Sequence, residues 1–316
     1  MSKNKIVKIS TPWGHSFLKD QISPYIDDFK FEIDNDCRVC DFWIVWGDLP
    51  GGVDRIKVDC PMENIFFMTD EAHPYKTYHK KFLSQFHAII TCRNDIEHKN
   101  IISTHEINTW HIPNTYEELF SHKEIIKSKE ISVVCSDLTD LPGHKARFAF
   151  VNKLIGHFKD KLDIYGRGFN PIDDKLIALM PYKYSIAIEN SAIDGYFTEK
   201  ISECYLTHTL PIYYGAPDIE NYFDSNSLLK IDITDYRKSV QNIEELLESN
   251  SWKSKEHLLI EQKFRYLNKY HLFPALSKIL RNQKPNTKKK SINLLYSHNK
   301  FLRESLISKV VNLMTR

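Results

Sequence analysis

The sequence predicts an α/β protein with two doubly wound domains, because strand-like and helix-like segments alternate twice along its 316 residues. Short apolar runs of strand length are followed by longer amphipathic segments, a pattern typical of mainly parallel sheets covered by helices. The polar stretch SHKEIIKSKE at 121–130 separates the two series. A chain of 316 residues also exceeds the usual size of one domain and suits two.

The first series predicts four buried strands and one helix. Each strand is a short run rich in β-branched and aromatic residues, and the four are KIVKIS, DFWIVWG, NIFFMT and HAIITC. The helix, PYKTYHKKFLSQF, lies between the third strand and the fourth. These elements make up a predicted first domain, residues 1–125.

The second series predicts another four strands with helices between them. The strands are ISVVCS, LDIYG, SIAIE and LPIYYG, and the helices are HKARFAFVNKLIGHF and TEKISECYL. Two further helices, VQNIEELLE and the segment 258–280, close this predicted domain, residues 126–283. In a pair of doubly wound domains, ligands bind in the cleft between them, at the carboxyl ends of the strands.

Composition excludes several classes of protein. With 42% hydrophobic and 27% charged residues, the chain has the make-up of a globular protein and not of a disordered one. No run of about 18 apolar residues is present, so no membrane-spanning helix is predicted. The basic start lacks the apolar core of a secretory signal, and six sparse cysteines fit a reducing compartment. We therefore expect a cytoplasmic protein.

Two short motifs that resemble metal sites are rejected. Cys37 and Cys40 form a lone Cys-x-x-Cys without the second pair of ligands that a zinc site needs. Burial beside the strand DFWIVWG is the preferred interpretation. Residues 34–36 read Asp-Asn-Asp, an Asp-x-Asp metal motif, but so short a motif is common. No metal site is predicted.

The stretch 182–223 carries most of the functional information. Its strand SIAIENS brings Glu189 and Asn190 to the carboxyl end of the sheet, where α/β proteins bind ligands. The predicted helix that follows carries a polar stripe at helical spacing, namely Tyr196, Glu199, Lys200 and Glu203.

This stripe is either a solvated face of an amphipathic helix or one wall of a binding pocket. A helix start offers free backbone N–H groups and a positive dipole end that suit a phosphate. Lys200 adds a positive charge, while Glu189 and Glu199 can accept hydrogen bonds from sugar hydroxyls. The combination favours a nucleotide-sugar pocket.

The same stretch resembles a known family. YKYSIAIENS…DGYFTEKISECYLTHTLPIYYGAPDIENYF is similar to the donor-binding signature of family-10 glycosyltransferases, the α-1,3/1,4-fucosyltransferases. The family pattern runs Tyr-Lys-Phe-x-x-x-x-Glu-Asn-Ser, Tyr-Val-Thr-Glu-Lys and Pro-x-x-x-Gly, and this chain departs from it at Phe197, where Val is usual. LDIYGRGF and GHKARFAFVNKL, which contains Arg147, are similar more loosely. The first half resembles the family only faintly.

The resemblance implies a fold of the GT-B type, two Rossmann-like domains facing across a cleft. It also implies an inverting α-1,3- or α-1,4-fucosyltransferase that uses GDP-fucose as donor. The donor contacts that it implies are Arg147, Glu189, Asn190, Tyr196, Glu199 and Lys200. In this fold cationic side chains and a helix start neutralise the departing diphosphate, and Arg147 and Lys200 are the candidates. No cofactor and no divalent metal is therefore expected.

An inverting transfer needs a general base that takes the proton of the acceptor hydroxyl, and the resemblance implies that the first domain supplies it. The strand NIFFMT is followed by two carboxylates, Asp70 and Glu71, ahead of a Pro-containing turn. Family members carry a glutamate before such a turn. Alignment favours Glu71 as the base, with Asp70 as second choice; Asp70 also suits a helix cap.

We expect fucose transfer to a GlcNAc- or glucose-type hydroxyl of an oligosaccharide or a lipid-linked glycan, such as lipopolysaccharide. Two alternatives stay open. One is a family relative that uses another GDP-deoxyhexose, and the other is a non-catalytic glycan-binding protein of the same fold.

The C-terminal residues 284–316 form a predicted basic amphipathic tail. Nine basic residues and one glutamate give residues 281–316 a net charge of +8, against −6 for the rest. Apolar residues recur there at helical spacing. Such a helix either binds an anionic membrane surface or packs back on the protein. No nucleic-acid partner is predicted, because the expected motifs are absent.

Overall fold

The computed structural model describes residues 4–13, 16–33, 36–121, 124–284, 286 and 291–305. They form two compact units. The first contains the described residues up to Thr104 together with those from Phe273 onward, and the second is His105–Leu272. The sequence predicts domain boundaries at 125/126 and 283/284, whereas the units divide at 104/105 and 272/273. One reason is that residues just after Thr104 bond to the second unit, as Glu106 N does to Gly195 O at 2.8 Å.

Within the described residues, the first unit contains a six-stranded parallel sheet in the order β2-β1-β3-β5-β6-β7. Its strands are β1 (Lys5–Ser10), β2 (Phe29–Glu32), β3 (Phe42–Trp46), β5 (Ile65–Met68), β6 (Ala88–Thr91) and β7 (Ile101–Ser103), while β4 (Arg55–Asp59) lies outside the sheet. All residues of β3, β5 and β6 are buried, as expected of strands covered on both faces. The four predicted strands are confirmed.

The α-helices among the described residues up to Thr104 are short. They are α1 (Ser16–Lys19) and α2 (Lys80–Leu83). The helix predicted over 74–86 is therefore wrong for most of its length. Residues before α2 instead form a loop held by side chains, since Lys76 Nζ contacts Asp70 Oδ2 at 2.7 Å and Tyr78 OH donates to Asp70 Oδ1.

The second unit has, in its described part, a five-stranded parallel sheet in the order β12-β11-β10-β8-β9. The strands are β8 (Lys129–Val134), β9 (Leu162–Tyr165), β10 (Tyr182–Ile188), β11 (Leu210–Tyr214) and β12 (Leu229–Lys230). The strand order reverses direction between β8 and β10, and at such a point the carboxyl ends of the strands open a crevice for a ligand. The four predicted strands of this series are confirmed.

Helices cover this second sheet. They are α3 (Tyr116–Phe120), α4 (Pro142–Phe158), α5 (Leu176–Leu179), α6 (Glu199–Leu206), α7 (Tyr236–Ser249) and α8 (Trp252–Arg265), followed by a π-helical turn at Tyr266–Tyr270. Buried side chains of α4, α6 and α8 join those of the central strands in one apolar core. This core fixes α4 and α6, the two helices whose starts lie beside the crevice.

The chain after α8 returns to the first unit. Helix α9 (Leu272–Arg281) packs there, with Phe273 and Phe31 ring centroids 4.9 Å apart. Strand β13 (Ile292–Tyr296) then pairs antiparallel with β4. Residues 292–296 of the predicted tail thus pack on the protein, while residues 285, 287–290 and 306–316 lie outside the described part of the chain.

His298 links this C-terminal segment to the loop before α2. Its backbone N–H donates to Asp48 Oδ1 at 2.8 Å, and its Nε2 accepts from the backbone N–H of His79 at 2.9 Å. Burial lowers the pKa of His298 to about 4, so the imidazole is neutral at physiological pH and keeps its acceptor nitrogen. The C-terminal segment therefore supports the loop that follows β5.

Neither rejected metal motif gains support from the structure. Cys37 and Cys40 are free thiols, and Cys37 Sγ lies 3.5 Å from Val39 O. The first two residues of the Asp-Asn-Asp motif at 34–36 lie outside the described residues. Among the residues that are described, no group of three or more His, Cys, Asp or Glu could hold a metal ion, and no helix is long and apolar enough to cross a membrane.

Candidate functional site

The crevice in the second unit contains a cavity of about 270 Å³ at the carboxyl ends of β8, β9 and β10. Three of its lining residues, Arg147, Glu199 and Lys200, were predicted from the sequence. The others are Val134, Cys135, Ser136, Gly166, Arg167, Lys175, Leu179, Ser185, Ile186, Ala187, Ile188 and Glu203. The predicted pocket at this edge of the sheet is therefore present, and it carries four cationic side chains.

The start of α6 forms one wall of this cavity. Thr198 caps the helix, since its Oγ1 accepts from the backbone N–H of Lys200 at 3.5 Å. The first two residues of the helix, Glu199 and Lys200, consequently face the crevice, and Glu203 follows one turn later. Tyr196 precedes the helix instead of lying on its polar stripe. It is 2% exposed and is not one of the residues that line the cavity.

Glu189, at the end of β10, accepts hydrogen bonds from residues at the start of α6. Its carboxylate is 1% exposed and accepts from Thr198 N at 2.8 Å, from Thr198 Oγ1 at 2.9 Å and from Lys200 Nζ at 3.1 Å. A Cβ added to Gly215 would lie only 2.5 Å from Glu189 Cγ, which explains the glycine after β11. Glu189 is thus committed to bonds within the protein, not to the sugar hydroxyls suggested by its sequence position.

Arg147 joins the ends of β8 and β10 from helix α4. Its Nη1 donates to Asn190 Oδ1 at 2.6 Å, and its Nη2 donates to Ser136 Oγ at 3.1 Å. Its buried Nε has no hydrogen-bond partner among the described residues. Because a buried, unpaired N–H group is costly, this guanidinium is suited to an anionic ligand in the cavity. Asn190 orients it.

An alternating series of charges runs along the α6 wall. Lys200 Nζ contacts Glu199 Oε1 at 3.6 Å, Lys175 Nζ contacts the same oxygen at 3.3 Å, and Lys175 Nζ contacts Glu203 Oε2 at 3.0 Å. With Glu189 next to Lys200, the order is Glu189, Lys200, Glu199, Lys175 and Glu203. We call these five side chains the charge ladder.

All five groups of the ladder lie beside opposite charges. Burial raises the pKa of the Glu199 carboxyl, but Lys200 and Lys175 outweigh burial and hold it well below its usual range. Burial lowers the pKa of both lysines, but the neighbouring carboxylates outweigh it. Glu189 and Glu199 raise the pKa of Lys200 above its usual value. Glu203 and Glu199 do the same for Lys175. Glu199, Lys200 and Lys175 are therefore charged at neutral pH.

Sequence reasoning did not identify Lys175 and Arg167 as site residues. Lys175 precedes the four-residue helix α5 and belongs to no motif. Arg167 lies in the turn after β9, which approaches β8 closely. Gly166 has φ +117°, and a Cβ there would lie 2.1 Å from Cys135 O. The two glycines flanking Arg167 were the available signal, because they indicate a tight turn at a strand end.

The two candidate bases lie in the first unit, directly after β5. Asp70 is engaged by Lys76 at 2.7 Å and by the Tyr78 hydroxyl. Glu71 is half-buried, and Arg93 Nη1 donates to its backbone O at 2.8 Å. The same nitrogen donates to Lys76 O at 2.8 Å, so one buried guanidinium fixes both ends of this loop.

Comparison with known proteins gives one family and several relatives. The family model "Glycosyltransferase family 10 (fucosyltransferase) C-term" matches residues 126–292. GDP-fucose protein O-fucosyltransferase 3 of Danio rerio is 25% identical over 211 residues, which is 61% of this chain and 45% of that protein. An alpha-(1,3)-fucosyltransferase of Helicobacter pylori is 34% identical over 80 residues, 25% of this chain and 16% of that protein. The chain thus matches less than half the length of these relatives.

Solved structures share the architecture. A crystal structure of an alpha1,3-fucosyltransferase aligns with a TM-score of 0.51 and 16% identity, covering 87% of this chain and 94% of that one. A crystal structure of an alpha1,3-fucosyltransferase with GDP aligns with a TM-score of 0.50 and 17% identity, covering 86% and 94%. The likeness confirms the predicted fold class, with two Rossmann-like domains of the GT-B type.

Proposed function

Because the chain belongs to glycosyltransferase family 10, the fucosyltransferases, we propose that it transfers L-fucose from GDP-fucose to a hydroxyl group of a glycan. The proposed acceptor is a GlcNAc- or glucose-type hydroxyl of an oligosaccharide or a lipid-linked glycan, with an α-1,3 or α-1,4 linkage. The observation that carries the proposal is the cavity at the strand ends of the second unit, where Arg147 and Lys200, two donor contacts that the family resemblance implies, lie together.

The cavity supports the donor half of this reaction. Transfer of fucose expels GDP, and the negative charge that develops on the diphosphate must be stabilised. We assign this role to Arg147 and Lys200 together with the start of α6, so that no divalent metal or other cofactor is required. Asn190 orients Arg147, Glu189 orients Lys200, and Glu199 accepts from donor hydroxyls. The family signature implies a donor contact at Tyr196, but this residue is buried and does not line the cavity, so we assign it no contact with the donor.

Inversion in a single displacement needs a base on the acceptor side, and we assign it to Glu71. Asp70 is the weaker candidate, because its carboxylate already accepts from an ammonium group and a phenol. Both carboxylate oxygens of Asp70 are thus already bonded within the loop, which leaves the side chain less free to meet an acceptor hydroxyl. Arg93 holds the backbone of Glu71 in place, as a positioned base requires.

A second class of acceptor also has support. The match to GDP-fucose protein O-fucosyltransferase 3 of Danio rerio extends over 61% of this chain, further than the match to the Helicobacter pylori enzyme. Its name gives a protein as the acceptor. A serine or threonine hydroxyl of a protein is therefore the second candidate.

A panel of sugar nucleotides tests the donor. GDP-fucose, GDP-mannose and UDP-galactose are incubated with N-acetyllactosamine, lactose or a mixture of folded proteins, and release of the nucleoside diphosphate is measured. We expect GDP release from GDP-fucose alone, and only with an acceptor. Release from GDP-mannose and not from GDP-fucose would indicate a GDP-sugar other than GDP-fucose as the donor. Glycan binding without any release would indicate a non-catalytic protein.

We also propose that the protein acts at the inner face of a membrane, with the basic tail bound to anionic lipid. Nine basic residues in 281–316 support this, and six free cysteines fit the reducing cytoplasm. Replacing Lys288, Lys289 and Lys290 by glutamine should weaken binding to phosphatidylserine vesicles roughly a hundredfold, at about 1 kcal/mol for each charge.

The matched variant for this test ends the chain after residue 305. It keeps β13 and His298, which the first unit needs, whereas removal of residues 284–316 would also remove this pairing. It removes Lys309 and Arg316, so we expect vesicle binding to weaken roughly 30-fold, at about 1 kcal/mol for each charge, and thermal stability to stay the same. Binding to phosphatidylserine vesicles that both variants retain would contradict the membrane proposal.

A further inference from the structure

The charge ladder contains a lysine that neither the donor signature nor the proposed mechanism uses. Lys175 Nζ lies between Glu199 Oε1 at 3.3 Å and Glu203 Oε2 at 3.0 Å. Its side chain is 26% exposed and lines the cavity, whereas that of Glu203 is 2% exposed. Lys175 therefore reaches from a buried carboxylate to one at the cavity wall.

Glu203 is the buried end of the charge ladder and is held by the backbone. Its Oε1 accepts from the backbone N–H of His111 at 2.6 Å, while its Oε2 holds Lys175. Glu203 therefore has its own backbone donor and would remain in place if Lys175 were absent. It would then be a buried negative charge without a cation beside it.

The net charge of the charge ladder depends on Lys175. The ladder contains three carboxylates and two ammonium groups, so its sum is −1 even with Lys175 present. Without Lys175, Lys200 would be the one cation among three carboxylates, and Glu199 would lose one of its two cationic contacts. A more negative wall repels a diphosphate, and a cavity of low polarity strengthens the repulsion.

We propose that Lys175 is a positioning residue for donor binding, which holds Glu199 against the cavity wall and offsets the charge of Glu203 so that a nucleoside diphosphate can bind beside Lys200. This inference rests on the proposed function, because it takes GDP as the ligand. It adds a residue outside the family signature to the donor site.

Calorimetry with GDP, GMP and guanosine tests the proposal. Lys175→Met should weaken GDP binding on the order of 10- to 100-fold, GMP less, and guanosine by less than about twofold, because a charge effect grows with the charge of the ligand. Lys175→Arg should recover most of the affinity. Lys238→Met, at an exposed lysine of α7, is the matched control and should bind GDP normally.

A double variant distinguishes this role from a direct contact with phosphate. Lys175→Met with Glu203→Gln restores the ladder sum of −1, and the glutamine oxygen can still accept from His111 N. We expect it to recover most of the GDP affinity lost in Lys175→Met. Absence of recovery, an equal loss for guanosine, or normal GDP binding by Lys175→Met would overturn the proposal.

A measurement without nucleotide separates this inference from the proposed function. The Glu199 carboxyl carbon is titrated by NMR in the unaltered chain and in Lys175→Met. Loss of the ammonium should raise the pKa of Glu199, and an unchanged value would overturn the inference. If the pKa rises but GDP does not bind the unaltered chain, the proposed function fails while the positioning of Glu199 by Lys175 stands.

Discussion

Replacement of Glu71 by glutamine should reduce fucose transfer about 100- to 10,000-fold, the range typical of a lost general base, and leave GDP affinity unchanged. Glutamine has nearly the same shape but cannot take a proton from the acceptor hydroxyl. The backbone O of Glu71 would still accept from Arg93, so the loop should keep its conformation. Turnover is measured with saturating GDP-fucose, and GDP affinity is measured by calorimetry.

The neighbouring carboxylate provides the control for this experiment. Asp70→Asn removes the charge that Lys76 and Tyr78 bind, and we expect a smaller loss of turnover than for Glu71→Gln, with a decrease in thermal stability. A larger loss in Asp70→Asn would transfer the role of base to Asp70. Near-normal turnover of Glu71→Gln would remove Glu71 from the mechanism.

Replacement of Lys200 by methionine should weaken GDP binding roughly 10- to 100-fold, since a hydrogen bond to a charged group contributes about 1.5–3 kcal/mol. The change should also destabilise the protein. Glu189 is 1% exposed and would lose the ammonium at 3.1 Å. Among the described residues, the donors left to its carboxylate would be those of Thr198. A buried carboxylate that has lost its cation is costly.

These two effects can be separated with Glu189→Gln. In the double variant Lys200→Met/Glu189→Gln the buried charge is gone, so thermal stability should recover while GDP affinity stays low. Lys238→Met again serves as the matched control. GDP affinity that is unaffected in Lys200→Met would show that the diphosphate does not bind at the start of α6, and the donor site would have to be sought elsewhere.

The fold class followed from the sequence because buried parallel strands leave a strong signal. A run such as FWIVW is apolar at every position, and all five of its residues are buried. Strands β2 and β7 have four and three residues, lie at the sheet edges and are partly exposed, so their signal is weak. The pairing of β13 with β4 joins segments more than 200 residues apart, and no local pattern indicates a partner so distant.

The candidate site was only partly predictable from the sequence. The signature located Glu199 and Lys200 because a strand end and a helix start are adjacent in sequence, and the looser likeness of GHKARFAFVNKL located Arg147. It did not show that the Glu189 side chain points inward to Thr198 and Lys200. The direction of that side chain depends on packing around β11 and Gly215. Lys175 comes from a separate loop, and only the folded chain brings it to Glu199.

The first unit includes residues from both ends of the chain, and this affects the order in which the two units can fold during synthesis on the ribosome. Residues 105–272 form the second unit without interruption, so all of its strands have been made before α9 is. The partner of β4, by contrast, is translated more than 200 residues after β4 itself. Domains generally fold as units once their residues are available. The second unit can therefore mature first, although it comes second in the gene.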